Sequence, residues 1–246
     1  MYKKSVQPYE SREGFYMSRG NVREALLSAA ITLFARSGYH AVSLREIAKA
    51  ANANVGSLTY HFGSKAGLLR EIYQRHTEPM NHRRMELLGE ARRIQDPDER
   101  LMAILRAYAL PAFSSSSDHD GGGAEFTRMR AVLSAEGNSD AREIIAGAFD
   151  TTSRAFLDAI AECLPGADIE GLVWRSQFLL GALYYTLINP ERVTRLSNGE
   201  VDGNDREKAV NQIVEASFAS FRSLGKTAAE SSPSTRSATG LLSTGR

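Results

Sequence analysis

The chain has 246 residues, of which 42% are hydrophobic and 24% charged, and its formal net charge at pH 7 is +1. These proportions are ordinary for a globular protein that buries a substantial core. No apolar run approaches the ~18 residues that a membrane span needs, and no apolar stretch follows Lys3 and Lys4 as a secretory signal would require. The single cysteine, Cys163, excludes an internal disulfide framework. The sequence therefore predicts a cytoplasmic protein with no membrane partner.

The charge is unevenly distributed along the chain. Residues 1–76 hold eleven Lys and Arg against five Glu, a balance of +6, which leaves 19 basic and 24 acidic residues, a balance of −5, in the remainder. A basic end on an otherwise acidic protein indicates contact with a polyanion such as nucleic acid. Uneven surface charge without a function is the alternative interpretation.

The N-terminal part of the chain divides at Asn21. Residues 1–20 lack any apolar periodicity and predict a mobile basic arm. From Asn21 onward, apolar residues recur at spacings of three and four, which predicts an amphipathic helix that Gly38 ends.

Polar residues mark the start of a second and a third short helix. Ser43 is followed three residues later by Glu46, the spacing of a capping box. The Asn-Ala-Asn turn at 52–54 suits a tight turn, because Asn tolerates left-handed backbone. Asn54 can then cap a third helix that runs to about His61 or Phe62.

A longer fourth helix is predicted after Gly63. Ser64 is its expected N-cap and Lys65 its first residue. Pro79 predicts a kink or a helix boundary, because proline lacks the N–H that a helix interior needs.

The rest of the chain predicts helices and no strands, so the expected fold class is all-α. The stretch Ser114–Gly123 is predicted to be a loop, in which Gly121–Gly123 is either plain loop or a hinge over a ligand entrance. Residues 226–246 are small and polar and predict a disordered tail. The five expected helices lie near Glu99–Phe113, Ala124–Glu136, Asp140–Leu164, Asp168–Ile188 and Gly203–Leu224.

The first three helices together predict a helix-turn-helix unit. Their apolar residues can form one compact core, which leaves the opposite face of the third helix free to enter a groove of DNA. Gly56 on that helix allows the backbone to approach the duplex closely. The expected core comprises Leu26, Ala30, Phe34, Leu44, Ile47, Ala48, Leu58 and Phe62. The expected groove-facing residues are Val55, Ser57, Thr59, Tyr60 and His61.

The same region resembles a known family. The strings FARSGYHAVSLREIAKAA at 34–51 and GSLTYHFGSK at 56–65 are similar to the N-terminal domain of the TetR family of repressors, over roughly residues 21–76. The sequence departs from that family at Asn52, where Gly is frequent, and at Thr59, where Tyr is common.

The resemblance implies a recognition helix at about 54–61 and phosphate contacts around it. Tyr60 and His61 are expected to contact the DNA backbone, with simple packing as the alternative. Lys65 is expected to meet a phosphate at a helix N-terminus, and Arg45 to contact phosphate or remain solvated. The expected DNA-binding residues are Ser43, Arg45, Asn54, Val55, Gly56, Ser57, Thr59, Tyr60, His61 and Lys65.

The expected organisation follows from these patterns. An arm (1–20) precedes a DNA-binding domain (21–76), a helical ligand-binding and dimerisation domain (77–225) and a tail (226–246). The resemblance implies a homodimer that binds a pseudo-palindromic operator on double-stranded DNA and responds to a small-molecule effector.

Two features of the helical domain bear on ligand and dimer. Aromatic, sulfur and arginine side chains are expected either to line a ligand pocket or to belong to core and surface. The candidate pocket residues are Met102, Arg106, Tyr108, Phe126, Met129, Arg130, Phe149, Trp174 and Phe178. The expected dimer stripes contain Leu172, Leu179, Leu180, Leu183 and Tyr184 on one helix and Val210, Ile213, Val214, Ser217, Phe218 and Phe221 on the other.

Other functions remain open at this stage. A helical-bodied enzyme is one alternative, although the sequence shows no nucleophile–base arrangement, metal-ligand spacing or cofactor loop, so no catalytic residue, metal or cofactor is expected. The other alternative is an activator or a ligand-independent architectural DNA binder. A reporter assay with and without the operator separates these last two from a repressor.

Overall fold

The computed structural model describes residues 19–114, 123–137 and 139–230. Of the predicted arm, only Arg19 and Gly20 are described, and they already begin the first helix. The predicted loop is described only at its ends, Ser114 and Gly123. The predicted tail lies outside the described residues from 231 onward, whereas 226–230 continue the last helix. No helix among these ranges is long and apolar enough to cross a membrane.

The all-α fold class is confirmed, because the described residues form helices and no strand. In chain order the helices are α1 (Arg19–Ala41), α2 (Leu44–Ala50), α3 (Val55–Phe62), α4 (Lys65–Ala91), α5 (Pro97–Phe113), α6 (Gly123–Glu136), α7 (Ser139–Cys163), α8 (Ile169–Ile188), α9 (Glu191–Leu196) and α10 (Arg206–Glu230). The short α9 has no counterpart in the sequence prediction.

Local sequence explains the boundaries of the first three helices. Gly38 has φ +80° and breaks the helical backbone inside α1, as predicted. Ser43 and Glu46 form the predicted capping box at α2, and Asn54 accepts a hydrogen bond from the Ser57 N–H at the start of α3. Asn52 adopts the left-handed conformation with φ +51°, which closes the turn between α2 and α3.

Helix α4 does not end where the sequence predicted a break. Ser64 caps it at the predicted position, but the helix continues through Pro79 to Ala91. The predicted helix boundary at Pro79 is therefore wrong. Proline removes one helical hydrogen bond, but tertiary packing on both sides of Pro79 outweighs this loss. Thr77 and Met80, which flank it, are both buried.

The helix-turn-helix does not keep a separate core. Six of the eight expected core residues are buried, and Leu44 and Phe62 are half-buried. The same hydrophobic cluster continues into Met80 on α4, Phe126 and Met129 on α6, and Phe149 on α7. The predicted domain boundary at residue 76 thus falls inside α4, and the first helices pack on the body of the protein.

Two hydrogen bonds join α6 to α1. The Thr32 hydroxyl donates to a Glu125 carboxylate oxygen at 2.7 Å, and the Tyr39 N–H donates to Glu136 Oε2 at 2.8 Å. A Cβ atom at Gly38 would lie 1.8 Å from Glu136 Oε1, so only glycine allows this close approach. Helix α6 therefore holds the end of α1 directly.

A second hydrophobic cluster forms the rest of the body. It joins α5, α7, α8 and α10 and includes Cys163, which is a buried free thiol as expected of a small core residue. The predicted dimer stripes belong largely to this cluster: Leu172, Leu179 and Leu183 are buried within the chain, and so are Val210, Ile213, Val214, Ser217 and Phe221.

Candidate nucleic-acid interface

Helix α3 presents a polar face to the solvent. Leu58 is completely buried against α1 and α2, whereas Tyr60 is 78% exposed and Thr59 and Gly56 are also exposed. A helix of eight residues with one side anchored in the core offers its other side to a groove without rearrangement. The structure thus brings the predicted groove-facing residues onto one surface, with Val55, Ser57 and His61 half-buried at its edge.

Some of the polar groups on this surface already form hydrogen bonds within the protein. The Thr59 hydroxyl donates to the Val55 carbonyl oxygen at 3.0 Å, so it can offer DNA only its methyl group and oxygen lone pairs. The Ser43 hydroxyl donates to Glu46 Oε2 at 2.7 Å and accepts from the Glu46 N–H. The Ser43 hydroxyl and the Ser43 N–H, which both donate to Glu46 Oε2, lower the pKa of the Glu46 carboxyl below its usual value, because they favour the charged form.

The Lys65 side chain is not directed into open solvent. Its ammonium donates to the Tyr39 carbonyl oxygen and lies 4.3 Å from the centroid of the Tyr39 ring. Burial lowers the pKa of Lys65, while the carboxylates of Glu136 and Glu46 oppose that effect. In this conformation Lys65 joins the start of α4 to the end of α1, and its predicted phosphate contact stays a prediction.

Basic side chains and helix termini surround the exposed face of α3. Arg45 and Lys49 lie one turn apart on α2 and are both exposed. Lys49 was not among the predicted DNA-binding residues, although its spacing of four from Arg45 places the two on one face of α2. Neither α3 nor α4 carries an acidic residue in its first turn, so their N-terminal N–H groups face no competing carboxylate there.

The candidate pocket residues do not converge on one cavity. Phe126, Met129 and Phe149 pack in the cluster that α6 and α7 share with the helix-turn-helix. Trp174, Phe178 and Met102 are exposed, and Arg106 donates to the Asn211 side chain. The position of a residue along a helix could not tell whether its side chain lies in the core or on the surface here. Neighbouring helices contribute different faces to the two hydrophobic clusters, so more than one face of a helix can be buried.

Tyr108 does line a cavity. It lies with Phe156 and Leu180 in a largely apolar cavity of about 340 Å³ between α5, α7 and α8. A wider groove of about 650 Å³ lies between α8 and α10, lined in part by Phe178. The smaller cavity has the size and lining typical of sites for small organic ligands.

Two comparisons of the sequence with protein families match different parts of the chain. Residues 26–72 match "Bacterial regulatory proteins, tetR family", and residues 106–219 match "Tetracyclin repressor-like, C-terminal domain". The first match contains α2 and α3 of the helix-turn-helix, and the second contains most of the residues that line the cavity at Tyr108. The chain belongs to the TetR family.

Curated HTH-type transcriptional regulators resemble parts of this chain. The HTH-type transcriptional regulator LmrA of Bacillus subtilis is 36% identical over 106 residues, which cover 43% of this chain and 54% of LmrA. The HTH-type transcriptional activator FasR of Mycolicibacterium smegmatis is 34% identical over 113 residues, covering 46% of this chain and 48% of FasR. The chain therefore spans about half the length of these two relatives.

A solved structure shares the fold over most of the chain. A TetR-family transcriptional regulator from Bordetella parapertussis superposes with a TM-score of 0.55 at 19% identity, covering 78% of this chain and 94% of that one. At this identity the likeness establishes the fold alone. It agrees with the family matches in both halves of the molecule.

Proposed function

We propose that this TetR-family protein is a sequence-specific DNA-binding transcriptional regulator, with α3 as its recognition helix. The exposure of Tyr60 beside Gly56 and Thr59, on a helix whose Leu58 is fully buried, is the observation that carries the proposal. The exposed cations on α2 and the capped N-termini of α3 and α4 supply sequence-independent contacts to phosphates. A protein of this function works in the cytoplasm, and none of these features implies catalysis.

The proposed assembly is a homodimer on a pseudo-palindromic operator. A single α3 contacts too few base pairs to be selective, whereas two copies related by a two-fold axis read half-sites one or more helical turns (~34 Å each) apart. Support comes from the outer face of α8, where Trp174 is 54% and Phe178 61% exposed and their rings lie 6.0 Å apart. This face replaces the predicted dimer stripes, most of whose side chains are buried within the chain.

The proposed mode of control is repression that a small-molecule effector relieves. An effector that binds one spacing of the two α3 helices better than another shifts the population away from the DNA-bound form. Helices α4 and α6 connect the body to the helix-turn-helix, through Lys65 and through the bonds of Glu125 and Glu136. FasR is named as a transcriptional activator. Expression of a reporter gene placed behind the operator measures whether this protein represses or activates transcription.

Binding to genomic DNA fragments at several salt concentrations tests the DNA-binding proposal. We compare the wild type with Tyr60→Ala, with Tyr60→Ala plus Lys65→Ala, and with Arg93→Ala, which removes an exposed cation beyond the C-terminal end of α4. We expect the wild type and Arg93→Ala to select one pseudo-palindromic site. The double variant should bind it more weakly, with a salt slope reduced by about one or more per subunit.

The alternative outcome is equally clear. Absence of sequence-selective binding at every salt concentration overturns the regulator proposal. Equal loss of affinity in Tyr60→Ala and Arg93→Ala would show that α3 is not the reading element.

A further inference from the structure

We propose that the effector of this regulator is an amphiphilic carboxylate whose anionic group binds Arg84 and Arg130 and whose apolar part occupies the cavity beside Tyr108. This inference rests on the proposed effector control, and it names the chemical class of the effector. We call Arg84 and Arg130, with the rings of Tyr108, Phe149 and Tyr184, the arginine cluster.

Both arginines are buried inside the body of the protein. Arg84 on α4 is 0% exposed and Arg130 on α6 is 2% exposed. Among the described residues, no carboxylate forms an ion pair with either guanidinium group. A buried cation of this kind costs free energy unless an anion or a full set of hydrogen bonds compensates its lost hydration.

The hydrogen bonds of the two guanidinium groups are incomplete. Arg84 donates through Nε to the Tyr108 carbonyl oxygen at 3.0 Å, but its buried Nη2 has no acceptor. Arg130 has no acceptor at either its buried Nε or its buried Nη2. Three N–H-bearing atoms in one region of the interior are thus available to an acceptor, and a carboxylate offers two oxygens for this purpose.

Aromatic rings surround the guanidinium groups in place of acids. The Arg84 guanidinium carbon lies 4.2 Å from the Tyr108 ring centroid, and that of Arg130 lies 4.0 Å from the Phe149 centroid and 5.0 Å from the Tyr184 centroid. Arg84 also lies 6.0 Å from the Phe149 centroid, so the two groups share one ring. Cation–π contacts stabilise a guanidinium less than an ion pair in the same surroundings does.

The electrostatics of the region agree with this geometry. Burial is the main cause that lowers the pKa of Arg84 to about 10, and the positive charge of Arg130 contributes to the same shift. Even so, Arg84 remains protonated near neutral pH. Burial also raises the pKa of the Tyr73 phenol, whose buried hydroxyl has no partner and which therefore stays a neutral donor beside Arg130.

The cluster adjoins the apolar cavity of about 340 Å³. Tyr108 lines that cavity and also contacts Arg84. Leu180 lines it one helical turn before Tyr184, the ring that contacts Arg130. An occupant of this cavity with a carboxylate at one end can therefore present its charge to the cluster past Tyr108. Asp150, Ser153, Ser176 and Gln177 also line the cavity, but most of its lining is apolar and favours a hydrocarbon or aromatic part.

The position of the cluster explains how such a ligand would reach the DNA-binding helices. Arg130 lies on α6 between Glu125 and Glu136, the two residues that hydrogen-bond to α1. Arg84 lies on α4, which begins at Lys65 directly after α3. A carboxylate that draws both guanidinium groups toward itself acts on the two helices that hold the helix-turn-helix.

Calorimetric titration of the full chain without DNA tests the proposal. The probes are octanoate and decanoate, each paired with its primary amide, and acetate as a carboxylate without an apolar part. We expect each longer carboxylate to bind at least about tenfold more tightly than its amide, and acetate to bind far more weakly. Absence of a preference for carboxylate over amide, or of any binding, overturns the proposal without need of a variant.

Substitutions then locate the site. In Arg84→Met and Arg130→Met the carboxylate preference should fall to within about twofold, while the amides keep their affinity because the cavity is unchanged. Arg128→Met is the matched control on α6, since its exposed guanidinium donates to the Leu187 carbonyl oxygen, and it should keep the preference. Loss of the preference in the control alone would also overturn the assignment.

The titration tests the ligand site and the DNA assay tests the proposed function, so either proposal can be overturned while the other stands. A protein that selects an operator but shows no carboxylate preference retains the proposed function and loses this inference. A protein that prefers carboxylates but selects no DNA loses the proposed function and retains the site. If both hold, decanoate should release the wild type from its operator and leave Arg84→Met bound.

Discussion

The DNA-binding helices and the arginine cluster satisfy their polar groups in opposite ways. At the starts of α2, α3 and α4 each cap bonds a residue three positions along: Ser43 to Glu46, Asn54 to Ser57 and Ser64 to Gly67. In the body, Arg84 reaches a carbonyl 24 residues away and leaves one nitrogen without a partner. The caps of the first region bond within their own sequence, whereas the polar groups of the second await the carboxylate ligand that we propose.

The largest expected effect is a loss of stability on substitution in the core of the DNA-binding helices, which shows whether the core stabilises these helices more than their caps do. Leu58→Ala removes a fully buried side chain from α3 and should lower the free energy of unfolding by about 2–5 kcal/mol. Thr59→Ala, at the exposed neighbouring position, should change it by less than about 0.5 kcal/mol. Urea unfolding measures both, and equal effects would contradict the orientation of α3.

A second prediction separates the outer face of α8 from the interior of the body. Phe178→Glu places a charge on an exposed apolar face, so the monomer should fold while self-association weakens by about 2 kcal/mol or more. Met85→Glu, at another exposed apolar side chain on α4, is the control. Sedimentation equilibrium measures the association, and a Phe178→Glu protein that dimerises like the wild type rules out this face.

The third prediction concerns the bonds that join the two regions. Glu136→Ala removes the acceptor of the Tyr39 N–H, in a bond that is partly buried near the end of α1, and should cost about 1–3 kcal/mol. Glu125→Ala removes the exposed bond to Thr32 and should cost about 0.5 kcal/mol or less. Hydrogen exchange at 36–43 should increase only in Glu136→Ala, and similar exchange in both variants would contradict a specific role for Glu136.

The smallest expected effect is a pKa change within the α2 cap. Ser43 holds the pKa of Glu46 below its usual value. The bond therefore contributes its full stability to the fold at pH values above the usual pKa of a glutamate, and this stability is lost as the pH falls through the lowered pKa. Ser43→Ala should return the Glu46 pKa toward its ordinary value and cost about 1 kcal/mol in cap stability. An NMR titration of the Glu46 carboxyl measures the shift, and an unchanged pKa would show that Ser43 does not set it.

The helix-turn-helix could be predicted in detail because its determinants lie close together in sequence. The caps at Ser43, Asn54 and Ser64 and the break at Gly38 are all found where the sequence places them. Of the two alternatives predicted at Pro79, a kink or a helix boundary, the boundary is wrong, since the burial of the surrounding turns outweighs the local cost of proline in a helix.

The candidate pocket could be predicted only in part. Tyr108 lines the cavity, whereas Trp174 and Phe178 are exposed. Of the two arginines in the proposed cluster, Arg130 was among the sequence candidates and Arg84 was not. An arginine in an α4 rich in charged residues gives no signal that distinguishes it from Arg83 beside it. Arg83 forms an ion pair with Glu86 three residues along the same helix, which is a local spacing, whereas only the packing of five helices shows that the guanidinium group of Arg84 is enclosed by aromatic rings.

The sequence by itself determined the helical class, the caps of the DNA-binding helices and the exposed character of α3, because these depend on spacings of three and four residues and on single-residue backbone preferences. The tertiary structure decided which apolar face of α8 is core and which is outer surface, and that Arg84 and Arg130 share one interior ring. The physical reason is distance along the chain: burial and charge pairing depend on side chains tens of residues apart, and no local pattern specifies which of them will meet.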